Sequence, residues 1–170
     1  MKIEDFFRDV PNFPKEGILF KDITPLLLNY EATKLCLDAL ASTLINRKID
    51  KVIGVESRGF FFGTLLAQKL NAGFVPVRKP KKLPYQTISA SYALEYGTDS
   101  LEIHIDAIQP GDKVVIHDDV LATGGTAEAV CKLVEQLGGE IVQVNFLMEL
   151  TFLNGKNKLQ GKELFAAVTY

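Results

Sequence analysis

VVIHDDVLATGGT, residues 114–126, combines an apolar β-branched run, two adjacent carboxylates and a turn of small residues. Lys113–His117 predicts a β-strand, and Thr126–Leu137 carries apolar residues at helical spacing, so the segment predicts a strand, a turn and a helix. Ligands of open parallel sheets collect beyond the carboxyl ends of the strands, where a helix start offers unpaired N–H groups. We therefore expect the turn Ala122–Thr126 to surround a phosphate.

The side chains of this turn suit an anion. Gly124 and Gly125 allow the backbone to approach a ligand closely, and the hydroxyls of Thr123 and Thr126 add hydrogen-bond donors. A Walker-type loop needs a lysine after its last glycine, where this chain has Thr126. No G-x-G-x-x-G follows a strand, so a dinucleotide-binding fold is disfavoured as well.

Asp118 and Asp119 directly precede the expected phosphate site, although like charges repel. They make sense there if they accept hydrogen bonds from another group, and the vicinal hydroxyls of a ribose are such donors. The alternative is that the two acids only end a strand and the two glycines only make a turn. The complete order of strand, double acid, Thr-Gly-Gly-Thr and helix favours a sugar phosphate.

The rest of the chain alternates strand and helix patterns, which predicts an α/β fold with a mostly parallel sheet covered on both faces. Lys79–Thr87 has two prolines and no periodicity, so it predicts an exposed loop. The other predicted elements are helix Tyr30–Lys48, strand Lys51–Val55, helix Phe60–Leu70, strand Phe74–Val77, an antiparallel hairpin of Ser89–Tyr96 and Ser100–Ile105, and strand Ile141–Met148.

Composition narrows the class of protein. The 170 residues fit one domain, 1–170, and a net charge of −2 argues against a broadly basic nucleic-acid binder. The amino terminus lacks the apolar block of a secretory signal, and the apolar run Phe60–Ala67 is far shorter than a bilayer requires, so we expect a cytoplasmic protein without a membrane partner. Cys36 and Cys131 lie on apolar helix faces and are expected to be buried thiols.

Residues 114–126 resemble the phosphoribosyl-pyrophosphate (PRPP) motif of type I phosphoribosyltransferases, and five further blocks resemble the members of that family that use adenine. Those blocks are FPKEGILFKDITPLL at 13–27, ESRGF at 56–60, VPVRKPKKLP at 75–84, LEYGTDSLEIH at 94–104 and MELTFLNG at 148–155. The resemblance implies a mostly parallel five-stranded sheet flanked by helices, a flexible loop, and a small hood to which 1–30 and about 148–170 contribute. It also implies a homodimer.

The reaction that the resemblance implies is adenine plus PRPP giving adenosine monophosphate (AMP) and pyrophosphate. Magnesium is expected to bind mainly through substrate oxygens. Asp118 and Asp119 then hold the ribose hydroxyls, and Ala122–Thr126 holds the 5-phosphate. Arg58 and Arg78 are expected to bind the diphosphate, and Lys79 and Lys82 to assist them. Arg58 is also expected to take part in catalysis.

The resemblance assigns two further groups of residues. Glu95 is the expected acid–base residue, with an ordinary exposed hairpin glutamate as the alternative. Adenine is expected in an apolar slot where Phe20 stacks on the purine, although Phe20 and Leu150 also suit a protein core. The slot residues are Leu19, Phe20, Lys21 and Leu150.

The chain departs from the family pattern at several positions. Lys21 stands where many relatives have arginine, Glu16 where proline is expected, Lys81 where glycine is expected, and His117 where an aliphatic residue is usual. Phe60–Phe62 suits either the core or a dimer interface.

Two other functions remain open from the sequence: transfer to another base, such as a 6-oxopurine or orotate, and non-catalytic regulation through bound PRPP. The block at 13–27 argues against the first. Intact Arg58, Glu95 and both aspartates argue against the second.

Overall fold

In the computed structural model, residues 2–94 and 97–170 are described. The chain divides into two compact units, Met1–Ala39 and Leu40–Tyr170.

The first unit contains a small antiparallel hairpin. Its strands pair with Val10 opposite Phe20, and Arg8 donates two hydrogen bonds to Asp22, at 3.0 and 2.6 Å. The phenyl rings of Phe13 and Phe20 meet edge to face with their centroids 5.1 Å apart. The elements that begin in this unit are a 3-10 turn Ile3–Phe6, β1 Arg8–Pro11, β2 Leu19–Asp22, α1 Thr24–Leu28 and α2 Tyr30–Ala41.

The second unit alternates strands and helices. Its elements are β3 Lys51–Val55, α3 Gly59–Lys69, β4 Gly73–Val77, β5 Thr87–Ala93, β6 Thr98–His104, β7 Lys113–Leu121, α4 Gly125–Gln136, β8 Glu140–Glu149, 3-10 turns Thr151–Leu153 and Gly155–Lys158, and β9 Leu164–Thr169. Five strands form a parallel sheet in the order β4-β3-β7-β8-β9, which confirms the fold class expected from the sequence. β5 and β6 form the predicted antiparallel hairpin.

Helices cover both faces of the sheet. An added Cβ on Gly63 of α3 would lie 3.4 Å from the Cα of Gly54, so this helix packs on the face of β3 that carries Gly54. Residues of α4 share a buried cluster with Ile53 and Val55, which point to the opposite face because side chains alternate along a strand. Leu101 and Ile103 of β6 join that cluster, so the hairpin packs on the α4 side.

Two element ends differ from the sequence prediction by four residues or more. α2 ends at Ala41 rather than at Lys48. The carbonyl of Leu40 accepts a hydrogen bond from the buried amide of Asn145, at 3.1 Å, and Leu44 N donates to the carbonyl of Ala41, at 2.8 Å, so the α-helical ladder stops there. β7 continues to Leu121 instead of stopping at His117, because it stays paired with β8 as far as Leu121 opposite Glu149.

The two cysteines are buried free thiols, as expected. Burial raises the pKa of Cys36 to about 12, and chiefly burial raises that of Cys131 to about 11. Neither thiol is therefore an activated nucleophile. Within 2–94 and 97–170, every helix is too short or too polar to cross a membrane.

Candidate active site

The polar residues singled out from the sequence of the second unit lie at one edge of its parallel sheet. Arg58 follows β3 and Arg78 follows β4. Asp118 and Asp119 lie near the carboxyl end of β7, before the loop to α4. Parallel strands end at the same edge, so the order β4-β3-β7 brings these residues to one side of the sheet.

The loop Ala122–Thr126 crosses from β7 to the first turn of α4. It lines a cleft of about 60 Å³ together with Asp118, which is too small for a whole nucleotide and suits one charged group. Gly124 has a φ of +84°, a left-handed conformation that disfavours residues with a Cβ. The N–H groups of the first turn of α4 have no partners within the helix, so the loop can bind an anion.

Gly155 contacts this loop through its backbone. A Cβ on Gly124 would collide with the carbonyl oxygen of Gly155, and a Cβ on Gly155 would collide with the carbonyl oxygen of Ala122. The two backbones therefore touch, and Gly155 fixes the position of the loop.

Asp119 is buried and pairs with Arg58, whose Nε donates to its carboxylate. The Asp119 main-chain N–H donates to Asp118 Oδ1 at 2.8 Å. Desolvation and then the neighbouring charge of Asp119 raise the pKa of Asp118 well above its usual range. Gly59 lets α3 begin close to β7, since a Cβ there would lie 2.9 Å from the His117 carbonyl oxygen and 3.1 Å from Asp118 Oδ1.

Arg78 is held by Glu56, which directly follows β3. Its Nε and Nη2 atoms each lie 3.2 Å from a carboxylate oxygen of Glu56, and the same carboxylate accepts the Lys79 main-chain N–H at 2.8 Å. Although burial opposes ionisation, the hydrogen bonds from Lys79 and Arg78 lower the pKa of Glu56. Arg78 also donates to the Lys82 carbonyl at 3.4 Å, so Lys82 lies on the same segment.

Lys79 forms an ion pair with Asp99 at the start of β6 and donates to the hydroxyl of Tyr92 at 3.0 Å. Partial burial works against its charge, but the hydrogen bonds to Asp99 and Tyr92 raise the pKa of Lys79. Each of the three cations Arg58, Arg78 and Lys79 is thus paired with a carboxylate of the same chain.

The remaining predicted site residues are Glu95 and those expected to bind adenine. Glu95 lies outside the described residues. Leu19, Phe20 and Lys21 form most of β2 in the first unit, and Leu150 directly follows β8 in the second. The Lys21 ammonium is bound to Asp9 at 2.6 Å, so its side chain is already engaged within the hairpin.

Sequence reasoning missed Glu56, Asp99 and Gly155 as parts of this site. Glu56 and Gly155 lie within the recognised blocks at 56–60 and 148–155, but their roles depend on partners far along the chain. Asp99 lies within the recognised block at 94–104, but nothing next to it indicated its role, because an acid in a hairpin is usually a solvated residue.

The chain is similar to known proteins in both sequence and fold. Residues 27–163 match the family described as phosphoribosyl transferase domain. The chain is 72% identical to the adenine phosphoribosyltransferase of Flavobacterium johnsoniae over the full length of both. It is also similar to the crystal structure of adenine phosphoribosyltransferase from Rhodothermus marinus, with 54% identity, a TM-score of 0.95 and coverage of 99% and 96% of the two chains.

A third relative carries ligands. The enzyme from Saccharomyces cerevisiae, solved with an imino-altritol bisphosphate and adenine, shares 44% identity and a TM-score of 0.92, with 97% and 96% of the chains covered.

Proposed function

The chain belongs to the phosphoribosyltransferase family, where its relatives are adenine phosphoribosyltransferases, and we propose that it transfers the 5-phosphoribosyl group of PRPP to adenine. The products are AMP and pyrophosphate, and the role is purine salvage. The enzyme is a pentosyltransferase of the glycosyltransferase class. The observation that carries the proposal is the junction of β7 and α4, where two aspartates meet an anion-binding loop beside paired cations.

The reaction exchanges one bond at the anomeric carbon of the ribose. The bond from that carbon to the diphosphate oxygen breaks with its electron pair going to the diphosphate, and a bond to a purine ring nitrogen forms as that nitrogen loses its proton. Positive charge grows on the sugar and negative charge on the leaving group, so cations around the leaving group lower the barrier. Arg58, Arg78, Lys79 and Lys82 are assigned to the diphosphate.

The sugar and its phosphate occupy the β7–α4 junction. Asp118 and Asp119 accept hydrogen bonds from the ribose hydroxyls, and the main-chain N–H groups of Ala122–Thr126 bind the 5-phosphate together with the hydroxyls of Thr123 and Thr126. Binding of the sugar hydroxyls gives Asp119 a new partner in addition to Arg58.

Magnesium fits this site if the substrate supplies most of its ligands. Within 2–94 and 97–170 no group of three or more His, Cys, Asp and Glu side chains is arranged to hold a metal ion. Magnesium commonly binds through one or two carboxylates, waters and substrate phosphates, and Asp118 and Asp119 are the carboxylates nearest the phosphate loop. When bound, the cation neutralises charge on the diphosphate.

Adenine binding is assigned to Leu19, Phe20, Lys21 and Leu150, as the family resemblance implies. The adenine-bound structure of the yeast relative supports a base site in this family. Stacking on Phe20 supplies binding energy, and main-chain polar groups distinguish a 6-amino from a 6-oxo purine. The pairing of the Lys21 side chain with Asp9 is compatible with recognition through the main chain of Lys21.

Glu95 is assigned as the acid–base residue that takes up the proton from the purine nitrogen. In single turnover, Glu95→Gln should slow transfer well below the wild-type rate. A wild-type rate would remove Glu95 from the mechanism.

The enzyme is further proposed to act as a homodimer in the cytoplasm. Exposed apolar side chains on α3, at Phe61 and Leu65, support an interface between copies of the chain.

The deciding experiment measures pyrophosphate release by the pure protein with PRPP, magnesium and one base at a time: adenine, hypoxanthine, guanine or orotate. Adenine should be the preferred base. Absence of turnover with every base would overturn the enzymatic function, and a preference for hypoxanthine would overturn the adenine assignment.

Asp119→Asn tests the sugar assignment in the same assay. Losing a charged hydrogen-bond acceptor costs about 1.5–3 kcal/mol, so kcat/KM for PRPP should fall roughly 10- to 150-fold. Glu140→Gln is the matched control, because it also removes one negative charge but lies at the opposite end of the sheet, at the start of β8. An equal loss in both variants would contradict a specific role for Asp119.

A further inference from the structure

The segment after β4 is attached to the β5–β6 hairpin by two different kinds of contact. The main chains of Arg78 and Glu102 form an antiparallel bridge, with N–O distances of 3.0 and 2.8 Å. The main-chain N–H of Lys79 is held by Glu56. The backbone of this segment is therefore fixed at consecutive residues, whichever way the Lys79 side chain points.

The Lys79 ammonium makes the second kind of contact. It pairs with Asp99 and donates to Tyr92, two residues that lie directly opposite each other in the hairpin. The Tyr92 hydroxyl donates to the Asp99 carboxylate at 3.2 Å, and the Ser100 N–H donates to its other oxygen at 2.8 Å. Asp99 is thus preset to receive a cation.

We propose that Asp99, supported by Tyr92, is a positioning residue that holds the Lys79 ammonium on the hairpin in the substrate-free enzyme and releases it to the diphosphate of PRPP or pyrophosphate. This inference rests on the proposed function, which assigns Lys79 to the diphosphate. It adds a competing partner within the protein, which lowers diphosphate affinity and thereby favours product release.

The accessibility of the pair makes the exchange physically easy. The side chains of Lys79 and Asp99 are 40% and 29% exposed, so water reaches both and the pair is worth only about 0–1 kcal/mol. A diphosphate carries more negative charge than one carboxylate and offers several acceptor oxygens. The long lysine side chain can change partner while its backbone stays bound to Glu56.

The other two cations are less suited to such an exchange. Arg78 is bound by two nitrogens to Glu56, whose side chain is 15% exposed and also holds the backbone of Lys79. Arg58 is paired with Asp119, which is itself assigned to the ribose. Asp99 has no such substrate role, and its contact with the diphosphate-binding cations is through Lys79.

A purely structural role for Asp99 predicts a different result. If it only stabilised the hairpin, its loss would lower thermal stability and leave diphosphate affinity unchanged or weaker. If Asp99 instead competes with the diphosphate for Lys79, its loss should tighten diphosphate binding.

The test measures binding of magnesium pyrophosphate by calorimetry to the wild-type protein, Asp99→Asn, Lys79→Gln and the double variant. Asn keeps the size of the side chain, and its carbonyl oxygen can still accept from the Ser100 N–H while its NH2 group donates to the Tyr92 hydroxyl. Asp99→Asn should lower Kd about two- to fivefold, within the range of an exposed ion pair. Lys79→Gln should raise Kd, and Asp99→Asn should give no gain when added to Lys79→Gln.

Glu140→Gln is again the charge-matched control, since it breaks the exposed Lys113–Glu140 pair, 2.6 Å, and should leave Kd unchanged. Unchanged or weaker binding by Asp99→Asn overturns the exchange, as does a gain that survives in the double variant or an unchanged Kd in Lys79→Gln. Failure of the proposed function is distinguished because it appears as absence of wild-type turnover with PRPP and adenine.

Discussion

His117 lies in β7 directly before the two aspartates, and its imidazole ring is fully buried. Nδ1 lies 3.0 Å from Asn145 Oδ1, whereas Nε2 has no hydrogen-bond partner within the described part of the chain. Burial lowers the pKa of His117 to about 4, so the ring is neutral near pH 7. The sequence predicted that His117 lies in a strand, and its ring contacts Asn145 of the neighbouring strand β8.

The lowered pKa of His117 predicts a loss of stability in acid. Between its unfolded value of 6.5 and about 4, the unfolded chain binds a proton that the folded chain does not, so the free energy of unfolding falls as the pH falls. From pH 7 to pH 5 this one group should remove about 2 kcal/mol. Urea unfolding at the two pH values measures the loss.

His117→Val isolates this contribution, because all other titrating groups, including His104, are retained. The variant should be less stable at pH 7, because Asn145 Oδ1 loses its hydrogen bond to the imidazole ring. Its stability should fall less between pH 7 and pH 5. An identical fall in both proteins would show that the pKa of His117 is the same in the folded and unfolded states.

Single residues also show what the sequence can and cannot reveal. Lys81 occupies a position where the family resemblance leads one to expect glycine, and its φ is +65°, so the departure falls where glycine is sterically favoured. Asp118 and Asp119 could be singled out because they are adjacent to each other and to the glycine turn. The partners of Arg78 and Lys79 could not, because they lie 22 and 20 residues away along the chain.

At the scale of elements, the phosphate loop depends on close contact between two backbones. Gly124→Ala adds a Cβ to a left-handed residue, which costs about 1–2 kcal/mol, and forces it against the Gly155 carbonyl. We expect a loss of unfolding free energy above about 2 kcal/mol and a higher KM for PRPP, because the loop must shift. Chemical denaturation and initial rates at saturating adenine measure the two effects.

Gly161→Ala is the control for the backbone conformation alone. Gly161 has a similar φ of +80°, but a Cβ there would meet nothing within 4 Å. It should lose only the conformational cost and keep the wild-type KM. If both variants lose equal stability and keep the wild-type KM, the contact between Gly124 and Gly155 does not shape the loop.

Hydrophobic spacing predicted every element of the parallel sheet except β9, but not where all of them end. Polar residues at 118 and 119 suggested that β7 had finished, yet its pairing with β8 continues beyond them. Leu44 is buried, as the helix pattern predicted. The helix nevertheless ends before it, where the side-chain amide of Asn145 donates a hydrogen bond to the carbonyl of Leu40. In both cases a partner distant in sequence overrides the local preference.

At the scale of the whole molecule, strand order is likewise fixed by pairing between distant segments. The alternation of strands and helices predicted a parallel sheet, because parallel neighbours need crossover connections. That pattern alone did not place β7 beside both β3 and β8. The family resemblance supplied the number of strands, and it also implied the homodimer.

The proposed homodimer concerns the exposed side of α3. This helix, GFFFGTLLAQK, is apolar on nearly every side, as is typical of helices buried all round. Phe62 is fully buried and Phe60 packs edge to face on Phe74, yet Phe61 and Leu65, one turn apart, are 46% and 40% exposed. From the sequence, Phe60–Phe62 suited either the core or a dimer interface. Phe62 belongs to the core, and Phe61 would belong to the interface if a second copy covers it.

Phe61→Glu should therefore convert a dimer to a monomer. Placing a charge in a desolvated aromatic contact costs about 2 kcal/mol or more, which weakens the dimer at least about 30-fold. Light scattering after size-exclusion chromatography, at several protein concentrations, measures the mass of each species. Gln136→Glu, at an exposed position at the end of α4, adds the same charge and should leave the mass unchanged. A monomeric wild-type protein would contradict the homodimer, and a dimeric Phe61→Glu variant would move the interface away from α3.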